Sequence, residues 1–223
     1  MVIEACWNWG KVYDALESIP GVTEVVLAHP LKTRLIAEAQ IKTDKLDAEA
    51  LATLLRGNLV ARAHVPSKET RHRKDELRQR LYWARLRTRI RNRIHALLDR
   101  QNDLALPQCT DLFGAKGMHA IKELRLPEPD GTMLREDLEL IELIKRQIRE
   151  QEKRIAAQNK LNPAGKRLLS IPGMGPILAS VAAAEIDQIE RFASAEKLCA
   201  YAGLVPMTHS SGGKTYNGGL LPF

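Results

Sequence analysis

Apolar residues recur at three- and four-residue spacing in three stretches of the chain, and each predicts an amphipathic helix. In KTDKLDAEALATLL, residues 42–55, the buried stripe is Leu46, Ala50, Leu51, Leu54 and Leu55, with Thr43 or Asp44 placed to cap the first turn. From Lys68 to about Asp103 it is Leu77, Leu81, Leu86, Ile90, Ile94 and Leu97; from Met133 to Leu161 it is Leu134, Leu138, Ile141, Ile144, Ile148 and Ile155. Antiparallel packing of the two longer helices would bury both stripes, and a coiled coil is also allowed. Ahead of them, Met1–Cys6 reads as a strand, Trp7–Ser18 as a helix and VTEVVLA, residues 22–28, as a buried strand. This alternation predicts an α/β layer with a parallel sheet. Pro and Gly punctuate Leu104–Gly131, a predicted loop-rich turnaround, and after Asn162 the pattern predicts short helices over 166–170, 177–186 and 194–202. The expected fold class is therefore α/β plus α.

Charge changes this picture more than composition does. The 223 residues are 44% hydrophobic and 27% charged, a globular balance, but the net charge is +7. That excess points to a polyanionic partner. No run of 18 apolar residues predicts a membrane span, and the opening MVIEACWNWGK lacks the pattern of a secretory signal. Cys6, Cys109 and Cys199 have neither metal-ligand spacing nor an even count, which fits a reducing cytoplasm. The chain opens in mid-element and stops at Phe223 without a closing element, so it is expected to be a fragment at both ends.

Four features carry candidate chemistry. Asp44 and Asp47, three residues apart, leave one side of their helix. Two carboxylates so placed suit a hard cation such as Mg²⁺, or simply the positive end of the helix dipole. Glu4 would lie on a neighbouring strand. Between residues 71 and 100, ten arginines face only Asp75, Glu76 and Asp99. A face including Arg85, Arg89 and Arg93 suits phosphate contacts, and ion pairs with other elements are the alternative. IPGMGP, residues 171–176, sits between two short helices as in a helix-hairpin-helix: Gly173 and Gly175 let backbone approach a phosphate, and the next helix aims free N–H groups at it. Last, Ser210 and Ser211 precede Gly212, Gly213 and Lys214, where a phosphate could reach a hydroxyl beside a cation; flexible loops use the same residues.

In this order VIEA (2–5), KTDKLDAEALATLL, RNRIHALLDRQ (91–101), LLSIPGMGPILA (168–179), FASAEKLCAYAGLVP (192–206) and SSGGKTYNGG (210–219) resemble the DEDD-type transposases of the insertion-sequence family numbered one hundred and ten. The resemblance implies a partial RuvC-like domain of RNase H fold over 1–66, a long coiled-coil region over 67–161 and a C-terminal transposase domain over 162–223. It implies that Glu4, Asp44 and Asp47 are three of four metal-binding acids, the first acid having no counterpart here. It implies that Ser211 attacks the scissile phosphate. DNA, a structured guide RNA and a homo-oligomer of two or four copies are the implied partners, and a divalent metal, Mg, the implied cofactor. The expected function is cleavage and exchange of DNA strands in transposition. The alternative is a non-catalytic nucleic-acid-binding remnant of such an enzyme.

Overall fold

A computed structural model describes residues 1–36, 43–101, 109–161 and 163–220. The chain divides into two compact units, Met1–Ser67 and Lys68–Phe223.

In the first unit, β1 (Val2–Glu4) pairs in parallel with β2 (Val26–Ala28), Val2 opposite Val26 and Glu4 opposite Ala28. The other edge of β2 is bonded by residues 61–63, through His29 N–H to Ala61 O (2.8 Å) and Ala63 N–H to Leu27 O (2.7 Å). β2 is therefore the middle strand, and Val25–Ala28 are buried. The strand is shorter than the predicted 22–28, because only its last residues have neighbours on both edges. α1 (Trp9–Glu17), α2 (Pro30–Ile36) and α3 (Asp44–Arg56) complete the unit. Thr43 caps α3, its hydroxyl accepting from Leu46 N–H at 3.3 Å. Of the predicted α3 stripe only Leu54 is buried, and Leu46 is 44% exposed. α3 is thus anchored through its last turns, while residues 43–49 are all exposed.

The second unit is built on two 32-residue helices, α4 (Lys68–Asp99) and α6 (Asp130–Leu161), each about 48 Å long at 1.5 Å per residue. They are antiparallel. Polar pairs between them descend along α6 as they climb α4: Glu76 with Gln158, Arg80 with Glu152, Arg93 with Asp137, and Arg100 with Asp130. All six predicted apolar positions of α6 are buried, and Ile90, Ile94 and Leu97 meet the prediction on α4. Leu81 does not; it is 44% exposed, because nine residues from Ile90 it projects from the opposite side of the helix. The turnaround contains a helix that the pattern did not predict, α5 (Ala115–Glu123), whose Met118 and Ile121 join Phe113 in the same core.

Asp137 lies within this helix pair, almost buried, with one carboxylate oxygen 2.8 Å from Arg93 Nε. Burial pushes its carboxyl above the ordinary value, against the opposing pull of Arg93. Since the folded protein then holds the proton more tightly than the unfolded chain, this group's contribution to stability falls as pH rises through the window. Asp137→Asn removes that cost. Its melting temperature relative to wild type is expected to be more favourable at pH 7 than at about pH 4, near the unperturbed carboxylate value; paired melts at the two pH values test this.

At the α4 N-terminal end, α7 (Pro163–Leu169) and α8 (Pro176–Ile186) pack on the long helices. Thr70 donates to Asp187 at 2.6 Å, and Lys74 pairs with Glu185 at 2.9 Å. Arg191 closes the end of α8 by donating to the Glu185 and Ile186 carbonyls (2.9 and 3.0 Å), with Phe192 and Tyr201 rings against its guanidinium. α9 (Ala195–Tyr201) follows, and then a hairpin of β3 (Pro206–Ser211) and β4 (Lys214–Leu220). This stretch is thus a hairpin rather than the flexible loop that its residues would also suit.

Candidate nucleic-acid interface and acidic site

Glu4 ends β1 and is exposed; Asp44 and Asp47 occupy the exposed first turn of α3. Among the described residues, no three His, Cys, Asp or Glu side chains are gathered closely enough to hold a metal ion, these three acids included. Leu54, the buried residue of α3, is ten residues from Asp44, about 15 Å along the helix axis. A hard cation takes six or more oxygens. What the chain offers it here is one exposed carboxylate pair, short of a complete set.

The arginines between residues 71 and 100 divide sharply. Arg73 pairs with Glu69, Arg78 with Asp75, Arg80 with Glu152, Arg93 with Asp137 and Arg100 with Asp130. Arg91 lies over the Phe113 ring at 4.8 Å. Arg93, counted among the phosphate-contacting candidates, is thus engaged within the helix pair, although its side chain is still 52% exposed. Arg85 and Arg89 are exposed with no acidic partner among the described residues. Four residues apart, they occupy one face of the helix. Ion pairs with another element are therefore made by Arg80, Arg93 and Arg100, Arg73 and Arg78 pair within α4, and Arg85 and Arg89 are the exposed arginines of this stretch with no acidic partner among the described residues.

In the glycine hairpin, Met174 N–H bonds Ile171 O at 3.0 Å, with Pro172 and Gly173 between them. Gly173 has φ +84°, which with proline before it makes a type II turn and explains the glycine. Gly175 has an ordinary φ of −73° and caps α8. A Cβ at either glycine would meet nothing within 4 Å, so both leave their backbone open to an approaching group.

At the chain's far end, Gly212 and Gly213 form the two-residue turn of the β3–β4 hairpin, with φ +58° and +76°. Positive φ at both central residues is the turn that matches strand twist, and Gly-Gly supplies it without strain. The turn sets Ser211 opposite Lys214 and Ser210 opposite Thr215 in the strand register.

One surface lay outside the sequence reading. Lys122 of α5 and Arg135, Arg146 and Arg149 of α6 line an open groove of about 540 Å³, with Glu139 and Glu142 among them. Its signal was hidden because α5 read as loop and the charges of α6 read as mixed.

A family model for the IS116/IS110/IS902 family of transposases matches residues 165–221, and a second, a DEDD transposase model of the IS110 type, matches residues 8–102. The chain belongs to the IS116/IS110/IS902 family of transposases. The 8–102 segment holds Asp44, Asp47, Arg85 and Arg89; the 165–221 segment holds Gly173, Gly175, Ser211 and Lys214. Among transposases with curated names, the chain is similar to the "Probable family 20 transposase" of Pseudomonas aeruginosa, 29% identical over 175 residues, or 78% of this chain and 52% of that protein. It is also 40% identical over 63 residues to the "Transposase for insertion sequence element IS1111A" of Coxiella burnetii, covering 28% of this chain and 17% of that transposase. The chain thus spans about half the length of the Pseudomonas transposase. Among the described residues, no helix is long and apolar enough to cross a membrane.

Proposed function

We propose that this chain acts in the transposition of a bacterial insertion sequence, binding DNA and carrying part of the machinery for strand cleavage and exchange. The observation that carries the proposal is the match of two transposase-family segments on one chain, 8–102, which reaches through α4, and 165–221. In this reading Ser211 is the nucleophile. Its oxygen attacks the scissile phosphorus, a P–O bond to one deoxyribose breaks, the departing oxygen leaves as a hydroxyl and a phosphoserine ester remains. Lys214, paired with Ser211 in the hairpin register, offsets charge developing on the phosphate. Glu4, Asp44 and Asp47 are the chain's share of ligands for a divalent metal, Mg by expectation.

Arg85 and Arg89 contact backbone phosphates, and the Gly173–Gly175 turn with the start of α8 serves as a helix-hairpin-helix phosphate site. The same proposal includes a coiled-coil role for the α4–α6 pair in a homo-oligomer and a structured RNA as a further partner. The ungathered acids favour a second reading, a nucleic-acid-binding chain without catalysis; binding that is indifferent to chelation, with no cleavage of any substrate, would support it.

Binding is tested by salt titration. Wild-type affinity for duplex DNA should fall steeply with salt, and Arg85→Gln with Arg89→Gln should reduce the log–log slope by about 0.9 for each phosphate that is no longer neutralised. A slope unchanged in the double variant would remove these two residues from the interface.

A further inference from the structure

The exposed face of α4 carries more than charge. Arg78, Tyr82, Arg85, Arg89 and Asn92 succeed one another at three- and four-residue steps and so form one continuous stripe. All five are exposed, Tyr82 to 54%. An aromatic ring this open gains nothing for the core, and leaving it in water forgoes a large apolar contact. Nor is the ring free to swing. It rests at 60° against the indole of Trp83, with centroids 5.3 Å apart, and Trp83 is packed on the buried core between α4 and α6. Tyr82 is thus a surface ring held in place, between cations one helical turn away on each side. Arg85 and Arg89 have no acidic partner among the described residues, so the positive field beside the ring is not cancelled locally.

A paired duplex presents phosphates but keeps base faces stacked inside. A single strand presents both, and every base has a π-face that an aromatic ring can cover. We infer that the Arg78–Asn92 face of α4 binds unpaired nucleotides, Tyr82 stacking on one base while Arg85 and Arg89 hold the adjoining phosphates. This deepens the nucleic-acid reading above and rests on it. The unpaired segment can belong to an RNA loop or to a locally opened DNA strand; the chemistry recognised is the same.

The test is fluorescence anisotropy of the full chain with labelled single-stranded DNA, single-stranded RNA of the same sequence and the matching DNA duplex. Tyr82→Ala is expected to weaken single-strand binding by about tenfold or more, the lower range for loss of one base–aromatic stack, with duplex binding changed less than twofold. Tyr82→Phe keeps the ring and should bind as wild type. The better-bound single strand identifies the source of the unpaired nucleotide. Equal single-strand affinity for wild type and Tyr82→Ala overturns the inference while leaving the phosphate-contact reading intact, as does an equal loss on single strands and duplex. If wild type binds none of the three probes even at low salt, the nucleic-acid reading itself fails and this inference with it. Circular dichroism of both variants, which alter an exposed position, confirms that they fold.

Discussion

Gly117→Ala is expected to lower the melting temperature by about 6–12 °C. A Cβ at this position would lie 2.2 Å from the Leu112 carbonyl oxygen and 2.5 Å from its carbonyl carbon. Both obstacles are backbone, so no side-chain rotation relieves the clash. α5 must move away from the 109–114 segment, taking Met118 and Ile121 out of the core they share with Phe113. Overpacking commonly costs about 1–3 kcal/mol, and a backbone clash belongs at the upper end; for a chain of this size each kcal/mol shifts the transition by about 2–4 °C. Gly175→Ala is the matched control: nothing lies within 4 Å of its added methyl, and its φ is ordinary. Thermal melts followed by far-UV circular dichroism compare the two. If Gly117→Ala melts with wild type, the close approach of α5 to Leu112 is not a feature of the folded protein.

Ser211→Ala is expected to abolish a covalent protein–DNA adduct while leaving DNA affinity within about twofold. A serine hydroxyl at its free pKa is a weak nucleophile and depends on its surroundings for activation, but no other atom of residue 211 can replace it in forming a phosphate ester. The loss should therefore be complete rather than graded. Ser210→Ala, one residue earlier and opposite Thr215 rather than Lys214, should retain the adduct. The measurement is denaturing electrophoresis of the chain after incubation with radiolabelled DNA carrying the insertion sequence's own ends, with and without a chelator. An adduct that survives Ser211→Ala would exclude this residue as the nucleophile. Survival of that adduct in Ser211→Ala but not in Ser210→Ala would move the role to its neighbour.

The long helices were the most legible part of the chain because their signal is repeated many times. Six apolar positions in register along α6 leave little room for another period, and all six are buried. The Thr43 cap and the Pro172–Gly173 turn were legible for a different reason, since each rests on one residue whose backbone chemistry is distinctive. α5 was hidden because Gly114 and Gly117 read as breakers. Gly117 is instead the residue that lets a helix approach the Leu112 backbone, and such a contact lies outside any local pattern. The terminal hairpin was hidden for lack of apolar alternation: its strands are polar, and only the Gly-Gly pair marked the turn. For the site, the sequence pointed to Arg85, Arg89 and Arg93 alike. Asp137, 44 residues beyond Arg93 in sequence, engages only the last of them, a distinction that exists only once α6 is folded back along α4. The acids were read from spacing and resemblance, and spacing says nothing of where a helix docks.

The antiparallel course of α4 and α6 has a mechanical consequence. Lys68 and Leu161 lie at one end of the pair, where α8 is fastened by Thr70–Asp187 and Lys74–Glu185, and Asp99 and Asp130 lie at the other, about 48 Å away. Stiffened by its continuous core, the pair behaves as a lever. A tilt of about 10° at the fastened end sweeps the tip through about 8 Å, an estimate from helix length alone, so a small rearrangement at the glycine hairpin would be delivered, amplified, to the far end of the arm.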